Sequence, residues 1–130
     1  MGNSIKDYYT VTSDKNTTKC YLVDPLTKSQ TEDYLLIRSM YSKGFLAEKR
    51  KMLEDFASSR FQKRKTESVE EMRIKAAALL VVGWSFSQDF SHHAMQEALE
   101  NAPQLVDQIE QVAESMENFF SQPKNLSKNT

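Results

Sequence analysis

A single cysteine, Cys20, stands among 130 residues. No internal disulfide and no thiolate zinc cluster can be built from it, and a reducing cytosol is the expected compartment. Glycine and proline number three each, too few to punctuate a many-turned sandwich or barrel. The longest apolar run, residues 76–82, falls far short of the ~20 residues that cross a bilayer, so no membrane span is expected. Nothing near the start reads as a signal peptide. The opening Met1-Gly2-Asn3-Ser4-Ile5-Lys6 has Lys6 where a myristoylation signal carries Ser or Thr. A glycine-rich phosphate loop, a Gly-x-Ser-x-Gly elbow and a His–carboxylate pair at ligand spacing are all missing. His92 and His93 are adjacent; on a helix they point about 100° apart and do not share one metal ion. The expectation is a protein without catalytic chemistry, metal or cofactor.

What is present favours helix. Ala, Leu, Gln, Glu and six Met supply good helix formers, and 39% hydrophobic with 27% charged residues is an ordinary balance for one domain. The fold class read from the pattern is mainly α: one compact domain of about five helices over residues 25–120, a polar N-terminal arm over 1–24, and a flexible tail over 121–130. In the arm, Tyr9 and Val11 alternate with polar neighbours and residues 19–23 form a second short extended run. A hairpin around Asp14-Lys15-Asn16-Thr17 and a frayed arm both fit that pattern.

A first helix is expected from Thr27 or Thr31, with Tyr34, Ile37 and Tyr41 on its apolar face beside Leu36 and Met40. Gly44 suits a left-handed cap at its end. A second helix is expected over residues 45–65. A third starts at Ser68 with Glu71 as a capping box and runs through the all-apolar stretch 76–82 to Gly83; lacking a polar side, it belongs at the centre. Ser91 caps a short fourth helix holding Met95 and Leu99. Pro103 opens a fifth, which carries Leu105, Ile109, Val112, Met116 and Phe119 at steps of four, three, four and three. That seam serves equally as core or as partner surface.

Charge is segregated along the chain. Residues 43–75 hold ten basic and six acidic side chains, whereas 86–120 hold seven acidic ones and no Lys or Arg. Two halves of opposite sign attract each other within the fold or between copies, or stand as two solvated faces. The cluster Arg60-Phe61-Gln62-Lys63-Arg64-Lys65 is the one argument for nucleic-acid binding. A helix-turn-helix reader, however, needs a basic helix after its turn, and the helices after Gly83 are acidic.

From about Cys20 onward, and best between Ala76 and Phe119, the chain resembles the tail assembly chaperones of long-tailed (lambda-like) bacteriophages. The residues that carry this are Val81-Val82-Gly83-Trp84, then Phe90-Ser91 opening a helix, Pro103 opening the next, and Asn118-Phe119 at the close; Val23-Asp24-Pro25-Leu26-Thr27 matches the extended segment that leads in. The polar N-terminal arm and the basic second helix depart from the family pattern. The resemblance implies a helical, non-enzymatic protein of the infected host cytoplasm, absent from the mature virion. It would bind the tape measure protein and keep it soluble before the tail tube polymerises. It further implies a longer form made by ribosomal frameshifting, whose added domain recruits the tail tube protein; Lys124-Asn125 and Lys128-Asn129 suit A-rich slippery codons. Self-association is compatible with coating a long client. The alternatives are a small helical nucleic-acid-binding regulator and a structural head–tail joining subunit. The candidate interaction residues are Trp84, as core plug or partner anchor, and Leu105, Ile109, Val112, Met116, Phe119 and Phe120 along and beyond the fifth-helix seam.

Overall fold

The computed structural model describes residues 4–61 and 69–120. It is a mixed α/β fold, with 53% helix and 21% strand, which corrects the expectation of a mainly α domain with at most a short hairpin. Among the described residues a 3₁₀ turn, Ile5–Tyr8, precedes strands β1 (Thr17–Val23) and β2 (Gln30–Arg38). Helices α1 (Lys43–Phe61) and α2 (Val69–Leu80) follow, then strand β3 (Val81–Trp84) and helices α3 (His92–Asn101), α4 (Gln104–Glu114) and α5 (Met116–Phe120). The strands form one antiparallel sheet in the order β1-β2-β3, so the α1–α2 pair is inserted between two neighbouring strands. The capping box at Ser68, the expected helix end at 62–65 and the tail over 121–130 lie outside the described residues.

The largest correction concerns residues 27–41. The expected first helix is instead a β-hairpin arm, because Lys19, Cys20 and Tyr21 pair with Leu36, Leu35 and Tyr34. A short apolar run such as Tyr34-Leu35-Leu36-Ile37 satisfies periods of both 3.6 and 2, and the available partner strand decides between them. The turn is built by Asp24, whose Oδ1 accepts the N–H groups of Leu26 (2.8 Å) and Thr27 (3.0 Å). Those two donors hold the Asp24 carboxyl below its ordinary pKa. Lys28 closes the turn at φ 64, in the left-handed region. Within the sheet Leu35 and Ile37 are buried with Cys20, while Tyr34 and Leu36 point to the other face beside Lys19 and Tyr21.

The expected third helix also ends early. The chain leaves α2 at Leu80 and enters β3 at once, as β-branched Val81-Val82 favours. Partners Leu35↔Trp84, Leu36↔Gly83 and Ile37↔Val81 leave Val82 as an extra residue. This bulge lets Val81 and Trp84 share the inner face, although strict alternation would separate them. A Cβ on Gly83 would stand 3.2 Å from Leu36 Cδ1, so the glycine accommodates that neighbour. The inner face is covered by α4 across β1 and β2 and by α2 and α3 beside β3. Leu35, Ile37, Val81, Met95, Leu99 and Ile109 are fully buried between them.

The chain between β2 and α1 organises the helix ends. Arg38, only 5% exposed, donates from Nε (2.9 Å) and from a terminal nitrogen (2.6 Å) to the Leu79 carbonyl in the last turn of α2. Its other contacts are Asp14 Oδ1 at 3.0 Å and Glu48 Oε1. The second oxygen of Asp14 accepts the Gly44 N–H at 2.8 Å, at the start of α1. One guanidinium therefore meets the negative end of α2, while its carboxylate partner meets the positive end of α1. Gly44 is the second residue of α1 and not the expected left-handed cap. A Cβ there would come within 2.6 Å of Asp14 Oδ1. Two residues after Arg38, the Met40 N–H reaches the Ala113 carbonyl at 3.1 Å, satisfying the last turn of α4 as well.

Three outcomes follow from this network. Arg38→Met should lower unfolding stability by about 2–3 kcal/mol, below the 3–5 of fully buried pairs because Asp14 and Glu48 keep part of their hydration; Arg38→Lys should not restore it, since an ammonium lacks the planar fork. Urea midpoints measure both. Gly44→Ala should destabilise despite alanine's roughly 1 kcal/mol helix preference, and the sign should reverse in an Asp14→Ala background, a double-mutant cycle with clear coupling. For Asp14, burial opposes ionisation, but the Gly44 N–H, Arg38 and the Ser42 hydroxyl outweigh it and hold the carboxyl below its ordinary value. Its stabilisation is then complete above the unfolded value of about 3.9 and drains away as pH falls through the lowered folded one. Denaturation midpoints against pH should show that acid limb, and Asp14→Asn should flatten it.

Candidate interaction surface

The side chains singled out in the sequence go to different places. Ile109 is 0% and Phe119 6% exposed. Leu105 and Val112 are half-buried against the same core, and the side chains of Met116 and Phe120 lie outside the described ones. The expected fifth helix is interrupted at Ser115, which is extended (φ −75, ψ 117) and donates its N–H back to the Val112 carbonyl at 3.3 Å. α5 therefore sets off in a new direction. The buried positions of α4 are Val106, Ile109 and Ala113, a stripe rotated from the expected one. Asn16 Nδ2 donates to the Phe119 carbonyl at 2.7 Å and Thr18 Oγ1 to the Asn118 carbonyl at 3.3 Å, tying α5 to the start of β1.

Trp84 sits at the end of β3, half-buried, and gathers an aromatic group that only the fold brings together. Its ring meets Phe86 edge-on at 5.6 Å and Phe90 at 5.2 Å, and Phe90 meets His92 at 5.6 Å. Such edge-to-face pairs contribute beyond the area they bury. Trp84 Nε1 donates to the Gln88 carbonyl at 2.8 Å, folding residues 85–91 back over the indole. His92 Nε2 lies 2.9 Å from the Val81 carbonyl, and Ser91 Oγ accepts the Ala94 N–H at 3.0 Å, the cap expected for α3. Phe86 remains 37% exposed. The result is an aromatic patch, packed against the core at Trp84 and open to water at Phe86.

A second surface lies on the far face of the sheet. Tyr21 (40% exposed) and Tyr34 meet edge-on at 5.7 Å, and Lys19 Nζ stands 4.6 Å above the Tyr34 ring. Beside it, a shallow groove of about 280 Å³ runs between β1 and α4, lined by Lys19, Cys20, Tyr21, Gln30, Gln108, Gln111 and Val112. Reading residues 27–41 as helix concealed this face. The signal that could have exposed it is the alternation of Leu35 and Ile37 opposite an extended run at 19–23. Burial pushes the Cys20 thiol up, away from the thiolate that nucleophilic chemistry uses. Among the described residues no group of three or more His, Cys, Asp or Glu is placed to hold a metal ion.

The basic and acidic segments meet at the surface between α2 and α4. Arg73 on α2 pairs with Asp107 at 2.6 Å and with Glu110 at 2.7 Å and 3.0 Å on α4. These carboxylates, Glu110 foremost, raise Arg73 further above its ordinary pKa. Comparison with family models, curated proteins and solved structures yields no match.

Because Ile109 is enclosed, Ile109→Asp should remove the cooperative thermal transition and most of the ellipticity at 222 nm, a cost of the order of 4 kcal/mol or more. A folded Ile109→Asp protein with native circular dichroism would contradict this placement.

Proposed function

We propose that this chain is a tail assembly chaperone of a long-tailed bacteriophage. It binds the tape measure protein in the host cytoplasm and leaves when the tail tube polymerises around that client. The observation that carries the reading is the aromatic patch of Trp84, Phe86 and Phe90. Trp84 and Phe90 belong to Val81-Val82-Gly83-Trp84 and Phe90-Ser91, two of the motifs that carry the family resemblance, and Phe86 lies between them. Rigid aromatic side chains with one edge in water are effective anchors for apolar side chains of a partner, because little conformational freedom is lost on contact. A long helical client with bare apolar surface aggregates unless covered, and a small domain offering such a patch covers one segment at a time. The chain performs this by binding, with no bond made or broken. A longer frameshifted form carrying an additional domain would bring the tail tube protein to the coated client.

Co-expression tests the reading. The long helical protein encoded beside this chain should be soluble with it and aggregated without it; equal solubility in both cases rejects the chaperone assignment. Within that assay Phe86→Ser should reduce co-purification of the client several-fold while costing about 1–2 kcal/mol, from the edge-on contact with Trp84 and the buried part of the ring, with native circular dichroism kept. Trp84→Ala should cost about 2–3 kcal/mol in addition, since it also removes part of the core. Full client protection by Phe86→Ser would place the binding surface elsewhere.

A further inference from the structure

Strand β1 is an edge of the sheet, and the pairing of its neighbour β2 decides which of its main-chain groups stay open. On the far side of β2, the Ser85 N–H donates to the Tyr34 carbonyl at 3.0 Å and the Tyr34 N–H donates to Ser85 Oγ at 2.9 Å. Both main-chain groups of Tyr34 are thus turned away from β1. Directly opposed residues of an antiparallel ladder alternate between exchanging both bonds and exchanging none. Tyr21 opposite Tyr34 and Lys19 opposite Leu36 are therefore the unbonded pairs, with Cys20 bonded to Leu35 between them. The N–H and C=O groups of Lys19 and Tyr21 point out of the sheet, two residues apart. Among the described residues nothing pairs with them.

This open edge borders the groove of about 280 Å³ between β1 and α4. The α4 side is formed by Gln108, Gln111 and Val112. Each glutamine amide offers donors and an acceptor, and Val112 is a half-buried aliphatic floor. The described lining holds one charge, Lys19, and no carboxylate. Main-chain donors and acceptors repeated at strand spacing are matched by a second extended main chain. A helix cannot match them, because its own main-chain groups are closed within it.

We infer that an extended, acidic segment of a partner polypeptide adds to β1 as a fourth strand. Its main chain bonds to Lys19 and Tyr21, an Asp or Glu stands beside the Lys19 ammonium, and an apolar side chain rests on Val112. From Lys19 to the end of β1 at Val23, a segment of about five residues spans the edge at about 3.4 Å per residue. The edge lies at the opposite side of the sheet from β3 and Trp84. The inference therefore stands on observations other than those behind the chaperone reading, and either can fail alone.

Amide exchange and peptide selection on the full chain test it. In the free chain the Lys19 and Tyr21 amides should exchange at least about tenfold faster than the Cys20 amide, which the ladder protects. Peptides enriched on the full chain from a random library displayed on yeast should carry Asp or Glu, and their binding should slow exchange at Lys19 and Tyr21. N-methylation at every second residue of such a peptide should abolish binding. Methylation at the residues between should change it by no more than about twofold, because only alternate N–H groups of an added strand face β1. Lys19→Glu, at an exposed position, should keep native circular dichroism and weaken binding by about tenfold or more. Slow exchange of the Lys19 and Tyr21 amides in the free chain would mean that the edge is already covered, by this chain or by a second copy, and overturns the inference. A selection that enriches no peptide, an N-methylation pattern without the two-residue period, or binding that Lys19→Glu leaves unchanged overturns it as well.

Discussion

Arg38 holds three parts of the chain that would otherwise have little reason to meet. A guanidinium presents five donors in a fixed plane, and here it meets the Leu79 carbonyl at the end of α2, Asp14 from the N-terminal segment and Glu48 on α1. Burying a cation is costly unless its donors are satisfied, so the arrangement stands or falls as a unit. Its geometry is reinforced by the Phe45 ring, 5.8 Å from the guanidinium carbon. Asp14 passes the constraint on to the first turn of α1 through Gly44, where close approach leaves no room for a side chain. The β2–α1 junction therefore fixes the start of α1 and the end of α2, and through Met40 and Ala113 the end of α4 too.

From this junction the sheet determines which side chains face the core and which face outward. β2 is the middle strand, and its two registers are both irregular. The extra residue at Val82 turns Trp84 to the inner side of the sheet, where the loop of 85–91 folds over it. Without that bulge the indole would stand on the face of Tyr21 and Tyr34, and the cluster with Phe86 and Phe90 could not form. A single-residue irregularity thus separates two aromatic surfaces, one rooted in the core and one on the open face of the sheet.

The electrostatic pattern works at a longer range. The contacts of Arg73 with Asp107 and Glu110 spend part of the opposition between the basic and acidic halves at the surface between α2 and α4. A protein of nearly balanced formal charge, −1 overall, thus carries its two signs on different segments of the chain.

Several features were legible before any coordinates. Ser91 as a cap and Met95 and Leu99 as its buried followers rest on contacts within one turn of helix, and such local chemistry survives whatever the rest of the chain does. Helix over most of 45–61 is similarly local, whereas its inward face, with Phe45 buried and Leu53 exposed, depends on the packing of α1 against α2. The helix read over 27–41 failed because Tyr34-Leu35-Leu36-Ile37 suits two periods, and pairing with residues 19–23 is a contact across the chain. The seam over Leu105, Ile109, Val112, Met116 and Phe119 failed at Ser115, where the chain bends so that Phe119 reaches the core and Asn118 reaches β1. Nothing in the neighbours of Arg38 along the chain announces three acceptors drawn from distant segments. The sequence by itself determined the start of α3 at Ser91, that the charge is divided and that no glycine-rich phosphate loop or Gly-x-Ser-x-Gly elbow is present. Tertiary structure alone decided strand against helix at β2, the bulge that aims Trp84, and the burial of Arg38, because each depends on a partner that sequence proximity does not supply.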